Sequence, residues 1–288
     1  MEQAAEVRGL YHRPTCTFSY VAWDPATKHA AIIDPVLDYD GAAGRTGTQS
    51  AAALLAIVAH EGLELRWILD THAHADHLSA AGYLHERTGA PVGIGAGITL
   101  VQETFREIYN LGSGFATDGR QFERLFTDGE RFPLGQLEVE VLATPGHTSD
   151  SVTYLIGDAA FVGDTLFSPD YGSARCDFPG GDAATLYRSV RRLYGLPADT
   201  RLFLCHDYPP GGREPRCEWS IADQRKGNIH LNAGTSEDDF VAMRSARDAT
   251  LGMPALIIPA VQVNIRAGRL PEPEDNGTRY LRVPVDKL

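Results

Sequence analysis

No CxxC pair and no zinc-finger spacing occurs in this 288-residue sequence, whose four cysteines, Cys16, Cys176, Cys205 and Cys217, are scattered along it. That scatter argues against a disulfide framework or a structural zinc site and predicts free thiols in small core positions, with Cys176 set apart by polar neighbours. No apolar run approaches the roughly 20 residues that cross a bilayer, so no membrane partner is expected. The opening MEQAAEVRGLYHRP carries acidic residues and lacks the apolar stretch of an export signal, which predicts a cytoplasmic protein. Basic charge is also scarce: 26 Lys and Arg face 38 Asp and Glu, for a net charge of -12. A polyanion would meet that field as repulsion, so no nucleic-acid partner is expected. The compact basic cluster Arg188, Arg191 and Arg192 has the spacing of a solvated helix face. Repeats, low-complexity tracts and a dividing linker are absent as well.

What is present is an alternation of short strands and helices, with 43% hydrophobic residues, enough for a sizeable core. TFSYVAW (17–23) and HAAIIDP (29–35) read as paired strands about an Asp24-Pro25 turn. GAAGRTGTQ (41–49) reads as a polar loop, and 50–62 as a helix with Ser50 as N-cap and Gly62 as stop. RWILDT (66–71) is a short buried strand, followed by a helix over 78–88 and the strand PVGIG. LEVEVLAT (137–144) alternates like a half-buried strand. SVTYLIG and AAFVGD form a hairpin about Gly157-Asp158, with a helix near 183–194 and the strand RLFLC (201–205) beyond. The pattern is that of sheets covered by helices.

Several segments place polar ligands just after an apolar strand: THAHADH (71–77), with His72, His74, Asp76 and His77; TPGHTSDS (144–151), with His147; FVGDT (161–165), with Asp164; and CHDY (205–208), with His206. Imidazole and carboxylate together suit zinc, iron and similar divalent ions, and loops at strand ends bring distant ligands together on a rigid base. A lone histidine or a lone aspartate after a strand is usually structural. Three histidines and an aspartate within seven residues are not explained that way. Gly146 and Gly163 are expected to let the backbone pass close to the metal.

HAHADH, followed by PGH, by GD after a strand and by a later histidine, resembles the metallo-β-lactamase superfamily. The likeness covers about residues 15–210 and implies an α/β fold: an αββα sandwich of two mixed sheets with helices on the outer faces and the metal at one edge. It implies one domain over 1–288, with a C-terminal extension of about 211–288 packed on the core. Within the superfamily, IIDPVLD (32–38), THAHADHLSAAGYL (71–84), TPGHTSDSVTYLI (144–156), FVGDTLF (161–167), ARCDFPGG (174–181), CHDY (205–208) and VNIRAGRLPEPE (263–274) are similar to the persulfide dioxygenases, also called sulfur dioxygenases. The insert DYDGAAGRTGTQS (38–50) fits their longer bacterial form. Ala174 and Cys176 stand where that family usually has Gly and Thr.

This resemblance implies one Fe(II) per chain held by His72, His147 and Asp164, with glutathione persulfide and oxygen as substrates. His74, Asp76, His77 and His206 would then hydrogen-bond ligands or metal-bound water. His206 and Tyr208 are the candidates for proton handling, Tyr208 also for touching substrate. Arg175 and Arg266 are candidates to pair with glutathione carboxylates. Exposed apolar residues near the carboxy terminus would suit a homodimer contact. The alternative is a glyoxalase II-like thioester hydrolase with one or two zinc ions, in which His74, Asp76, His77 and His206 would contribute ligands to a second metal. A non-catalytic sulfide or redox sensor is the third possibility.

Overall fold

In the computed structural model, which describes residues 4–287, the chain folds into two packed six-stranded sheets with helices on both outer faces. The first sheet contains β1 (Glu6–His12), β2 (Thr17–Trp23), β3 (His29–Ile33), β6 (Glu64–Leu69), β8 (Val92–Gly95) and β9 (Arg124–Phe126), adjacent in that order. Pairing is antiparallel from β1 to β3 and parallel from β3 to β9. The second sheet runs β10 (Arg131–Leu134), β11 (Leu137–Ala143), β12 (Val152–Ile156), β13 (Ala159–Phe161), β14 (Arg201–Phe203) and β15 (Glu218–Ser220). It is antiparallel except between β13 and β14. A small third sheet pairs β4 (Val36–Asp40) with β5 (Arg45–Gly47) and β7 (Leu78–Ser79).

The faces follow from the strand period of two. Tyr20, Ala22, Ala31 and Ile33 point inward against Val139, Val141, Tyr154, Ile156 and Phe161 of the opposite sheet. Their neighbours Val21, Trp23, Ala30 and Ile32 point outward, under α1 (Gln49–His60), α2 (Ala81–Thr88), α3 (Ile98–Ile108) and α7 (Ile257–Asn264). On the far side, Ala160, Val162, Leu202 and Leu204 pack under α4 (Ala183–Leu193), α5 (Ile221–Gly227) and α6 (Glu237–Asp248). Residues beyond 210 thus supply helices to both outer layers. No helix among the described residues is long and apolar enough to cross a membrane.

Several local expectations are corrected. Ser50 is not the N-cap: Thr48 takes that position without a side-chain cap bond, while both Ser50 N–H and Oγ donate to Asp38 at 2.9 and 2.7 Å. The expected helix at 78 starts at Ala81, because Leu78 and Ser79 pair with β4. The 41–49 segment contains β5, the second strand of a hairpin. All four cysteines are free, but Cys16 and Cys217 are half-buried rather than core positions. Arg188 and Arg192 do lie exposed on α4, paired with Glu237 and Asp128, whereas Arg191 is half-buried over Tyr187 and donates to the Ala233 carbonyl.

Candidate metal centre

The strand directions explain why distant segments meet. β3 and β6 are parallel, so Asp34 and His72 leave the first sheet at the same end. In the second sheet β11, β13 and β14 share one direction, which brings the following loops, carrying His147, Asp164 and His206, to one edge. A backbone bond of 2.9 Å from Val152 N–H to Thr71 C=O ties the two sheets together there.

His72, His147 and Asp164 converge so that one ligand atom from each lies within 4.8 Å of the others. Asp164 Oδ2 stands 3.7 Å from His72 Nε2 and 3.6 Å from His147 Nε2. A second group, His74, Asp76, His77 and His206, meets the same limit. His206 joins the two groups, with Nε2 3.1 Å from Asp76 Oδ2 and 3.4 Å from Asp164 Oδ1. All ten of the sequence candidates except Arg175, Tyr208 and Arg266 therefore sit in one buried knot.

Hydrogen bonds fix which imidazole nitrogen faces inward. Thr71 Oγ1 donates to Asp34 Oδ2 at 3.0 Å, so it accepts from His72 Nδ1–H at 3.1 Å and leaves Nε2 as a lone pair. His147 Nδ1–H donates to the Arg175 carbonyl at 2.7 Å, again freeing Nε2. His74 Nε2–H donates to Asp34 Oδ1 at 3.1 Å, which leaves Nδ1 free. Burial, reinforced by the neighbouring imidazoles, pushes His72 and His74 well below the ordinary imidazole range, and burial lowers His147. Neutral imidazoles with inward lone pairs are what a metal requires.

The residues fit a metal on a second count. His72 Nε2, His74 Nδ1, Asp76 Oδ2, His77 Nε2, Asp164 Oδ1 and His206 Nε2 are buried and have no hydrogen-bond partner among the described residues. Unpaired buried polar atoms each cost on the order of 1–3 kcal/mol, and six in one cluster mark the place of an ion. Burial pushes the Asp164 carboxyl up to about 7, as expected of a carboxylate whose counter-charge is a metal. Burial also opposes ionisation of Asp76, but His206 and His77 more than offset it and hold that carboxyl below its ordinary range.

A pocket of about 600 Å³, its mouth included, opens onto this knot. Asp76, His147 and Asp164 line its metal-facing end, and Phe167, Phe178 and Tyr208 are among the aromatic residues of its wall. Tyr208 stacks on His206 with ring centroids 5.7 Å apart. Arg175 reaches the pocket but is bound to Asp177, its Nε 2.6 Å from Oδ1, and lies over the Phe178 ring. Arg266 is not on the pocket wall. Its guanidinium donates to the Gln262 carbonyl and rests on Phe115.

The glycines act differently from expectation in one case. A Cβ on Gly146 (φ +130°) would meet Leu186 backbone atoms at 2.3 and 2.4 Å, so this glycine admits α4, not a metal. A Cβ on Gly163 would strike Thr71 Oγ1 at 2.5 Å and approach His72 Nδ1 at 3.4 Å, so that glycine does serve the ligand shell. Sequence reasoning missed Asp34, which receives His74 and Thr71; Thr17, whose Oγ1 lies 3.4 and 3.3 Å from Nδ1 of His77 and His206; and Asn264. Asn264 Nδ2 donates to the carbonyls of His74 and His77 at 2.7 and 2.8 Å, and its Oδ1 accepts from Ser79 N–H at 2.7 Å. The available signal was a polar residue inside the apolar run IIPAVQVN.

Residues 14–206 match the model of the metallo-beta-lactamase superfamily. The chain belongs to that superfamily. It is 53% identical to a "Probable metallo-hydrolase" of Burkholderia pseudomallei (98% of this chain, 99% of the relative) and 47% identical to "Glyoxylase B2" of Dictyostelium discoideum (100% and 99%). It spans only 65% of a "Beta-lactamase hydrolase-like protein" of Agrobacterium fabrum, with 55% identity over 98% of this chain. Human mitochondrial "Persulfide dioxygenase ETHE1" is 31% identical over 91% of this chain and 88% of its own. The crystal structure of ETHE1 from Myxococcus xanthus superposes with a TM-score of 0.72, at 34% identity over 92% of this chain and all of that one. The αββα sandwich is thus the superfamily's fold, and a likeness over 91–92% of this chain runs past residue 206.

Proposed function

We propose that this protein is an Fe(II)-dependent persulfide dioxygenase that converts glutathione persulfide, oxygen and water to sulfite and glutathione. The observation that carries this reading is the convergence of two imidazoles and one carboxylate, His72, His147 and Asp164, beside an open pocket. Fe(II) in such a set supplies open positions for a sulfur ligand and for oxygen, and the redox capacity to join them. The chain's own residues supply the rest. Asp34, through Thr71, and the Arg175 carbonyl hold the two imidazoles in one tautomer. Phe167 and Phe178 keep water from the sulfur. Burial keeps the Tyr208 hydroxyl protonated, so it donates a hydrogen bond toward an ionised persulfide. His206, between Asp76 and Asp164, is placed to return a proton to the departing thiolate.

A second reading is favoured by the other cluster. His74, Asp76, His77 and His206 would hold a second ion in a glutathione thioester hydrolase, where a metal-bound water ionises near pH 7. The two readings separate on protein purified from iron-supplied cells. About one iron per chain, with rapid oxygen uptake and sulfite release on adding glutathione persulfide, supports the dioxygenase; two zinc-like ions, no oxygen uptake and cleavage of a glutathione thioester reject it. His77→Ala sharpens the test. A dioxygenase keeps its iron and loses about 10- to 100-fold in turnover, the usual effect of removing a group that supports metal ligands. A dinuclear hydrolase drops from two metals per chain to one.

A further inference from the structure

Three arginines line the pocket, and two are already engaged. Arg175 grips Asp177 with two bonds of 2.6 and 2.7 Å and gives a third donor to the Gly252 carbonyl at 2.6 Å. Arg244 is buried; its Nε donates to Asp248 Oδ1 at 2.9 Å and its Nη1 to the Ser173 carbonyl at 3.2 Å. Arg247, three residues further along α6, is exposed, and its guanidinium meets no carboxylate or other acceptor among the described residues. It stands on the pocket wall with Leu251 and Pro254.

We propose that Arg247 anchors a carboxylate on the carrier half of the substrate, so that the pocket takes persulfides of acidic low-molecular-weight thiols in preference to uncharged ones. The inference rests on the persulfide reading above and assigns its carrier specificity. An anion approaching this chain meets a net charge of -12, and Asp76 and Asp164 on the pocket wall. A guanidinium without a counter-ion reverses that field where the carrier enters. Its planar fork also matches a carboxylate in two-point contact. Leu251 and Pro254 on the same wall, and Phe167 and Phe178 with them, give the carrier's body an apolar track toward His147 and Asp164. Arg247 lies in the last turn of α6, where a cation also offsets the helix dipole. That role would not discriminate between carriers.

The test compares iron-loaded wild type, Arg247→Ala and Arg247→Lys on glutathione persulfide and on the persulfide of 2-mercaptoethanol, with calorimetric binding of glutathione alongside. In Arg247→Ala, KM for glutathione persulfide should rise about tenfold, the worth of one charge-assisted contact, with kcat changed less than about twofold. KM for the uncharged carrier should not move, Arg247→Lys should recover part of the loss, and glutathione affinity should fall with KM. An unchanged KM in Arg247→Ala, or an equal loss on both carriers, overturns the assignment while the dioxygenase stands. If wild type turns over neither persulfide, the dioxygenase reading falls instead. In that case Arg247-dependent binding of glutathione upholds the anchor, and Arg247-independent or absent binding removes it.

Discussion

Replacing His147 by alanine should cut oxygen-dependent sulfite release by at least about a thousandfold, since a bound metal stabilises the transition state by several kcal/mol and each 1.4 is a factor of ten. The side chain fills two roles at once. Its Nε2 would be one of three ligand atoms, with those of His72 and Asp164, and its Nδ1–H is the partner of the Arg175 carbonyl. Only the first role concerns the metal, so the outcome divides cleanly. Iron per chain, measured by elemental analysis, should fall to background. Compared metal-free with metal-free, stability should drop by only about 1–3 kcal/mol, the cost of leaving one buried carbonyl unpaired. A variant that kept one iron per chain and wild-type turnover would mean that the ion sits instead among His74, Asp76, His77 and His206. In that event the mononuclear reading fails together with its choice of ligands.

The candidate ligands were legible in the sequence because each follows an apolar strand, and strands are read from period and composition. The strand-end rule holds for His72 after β6, His147 after β11, Asp164 after β13 and His206 after β14. Their supports were not legible, since pairing between chain segments 40 to 190 residues apart leaves no local trace. Asp34 reaches His74 across 40 residues, and Asn264 reaches the same turn across 190. The arginines show the same limit from the other side. Arg175 and Arg266 looked like substrate residues by family position, yet one fork is filled by Asp177 and the other is turned onto Gln262. Arg247 carries no motif, and only the absence of a partner among the described residues distinguishes it.

Secondary structure divides along the same line. β2, β3, β11, β12 and β13 were recovered because buried strands of this sandwich are continuous or alternating apolar runs. β1 was missed: EVRGLYH is exposed or half-buried throughout and is held by antiparallel pairing with β2, so it has no clean period to read. α6 and α7 escaped for opposite reasons. α6 opens on three acids and buries only Phe240, Arg244 and Asp248, whereas α7 is nearly all apolar and gives little contrast between faces. A buried ion pair within α6 looks polar in sequence, although it is packed against the 173–176 segment.

Asn264→Leu should be the most destabilising single change at the centre's support. Leucine branches at Cγ as asparagine does, with the same number of side-chain heavy atoms but no polar ones, so three backbone groups lose their partners together: the carbonyls of His74 and His77 and the N–H of Ser79. At about 1–3 kcal/mol for each buried unpaired group, the loss is about 3 kcal/mol or more, a large part of the 5–15 kcal/mol by which a domain is stable. In urea this appears as a lower midpoint with an unchanged slope. Asn264→Asp separates the donors from the acceptor. It keeps an oxygen for Ser79 N–H but places a carboxylate against two carbonyls, so it should lose nearly as much. Metal content is the decisive second reading. The turn that Asn264 clamps carries His72, His74, Asp76 and His77, so iron affinity should fall by about 10- to 100-fold, as for other groups that orient ligands. A variant that is destabilised yet binds iron as tightly as wild type would show that Asp34 and Asp150, which grip the same turn at Thr71 and Ala73, hold the ligand geometry without α7.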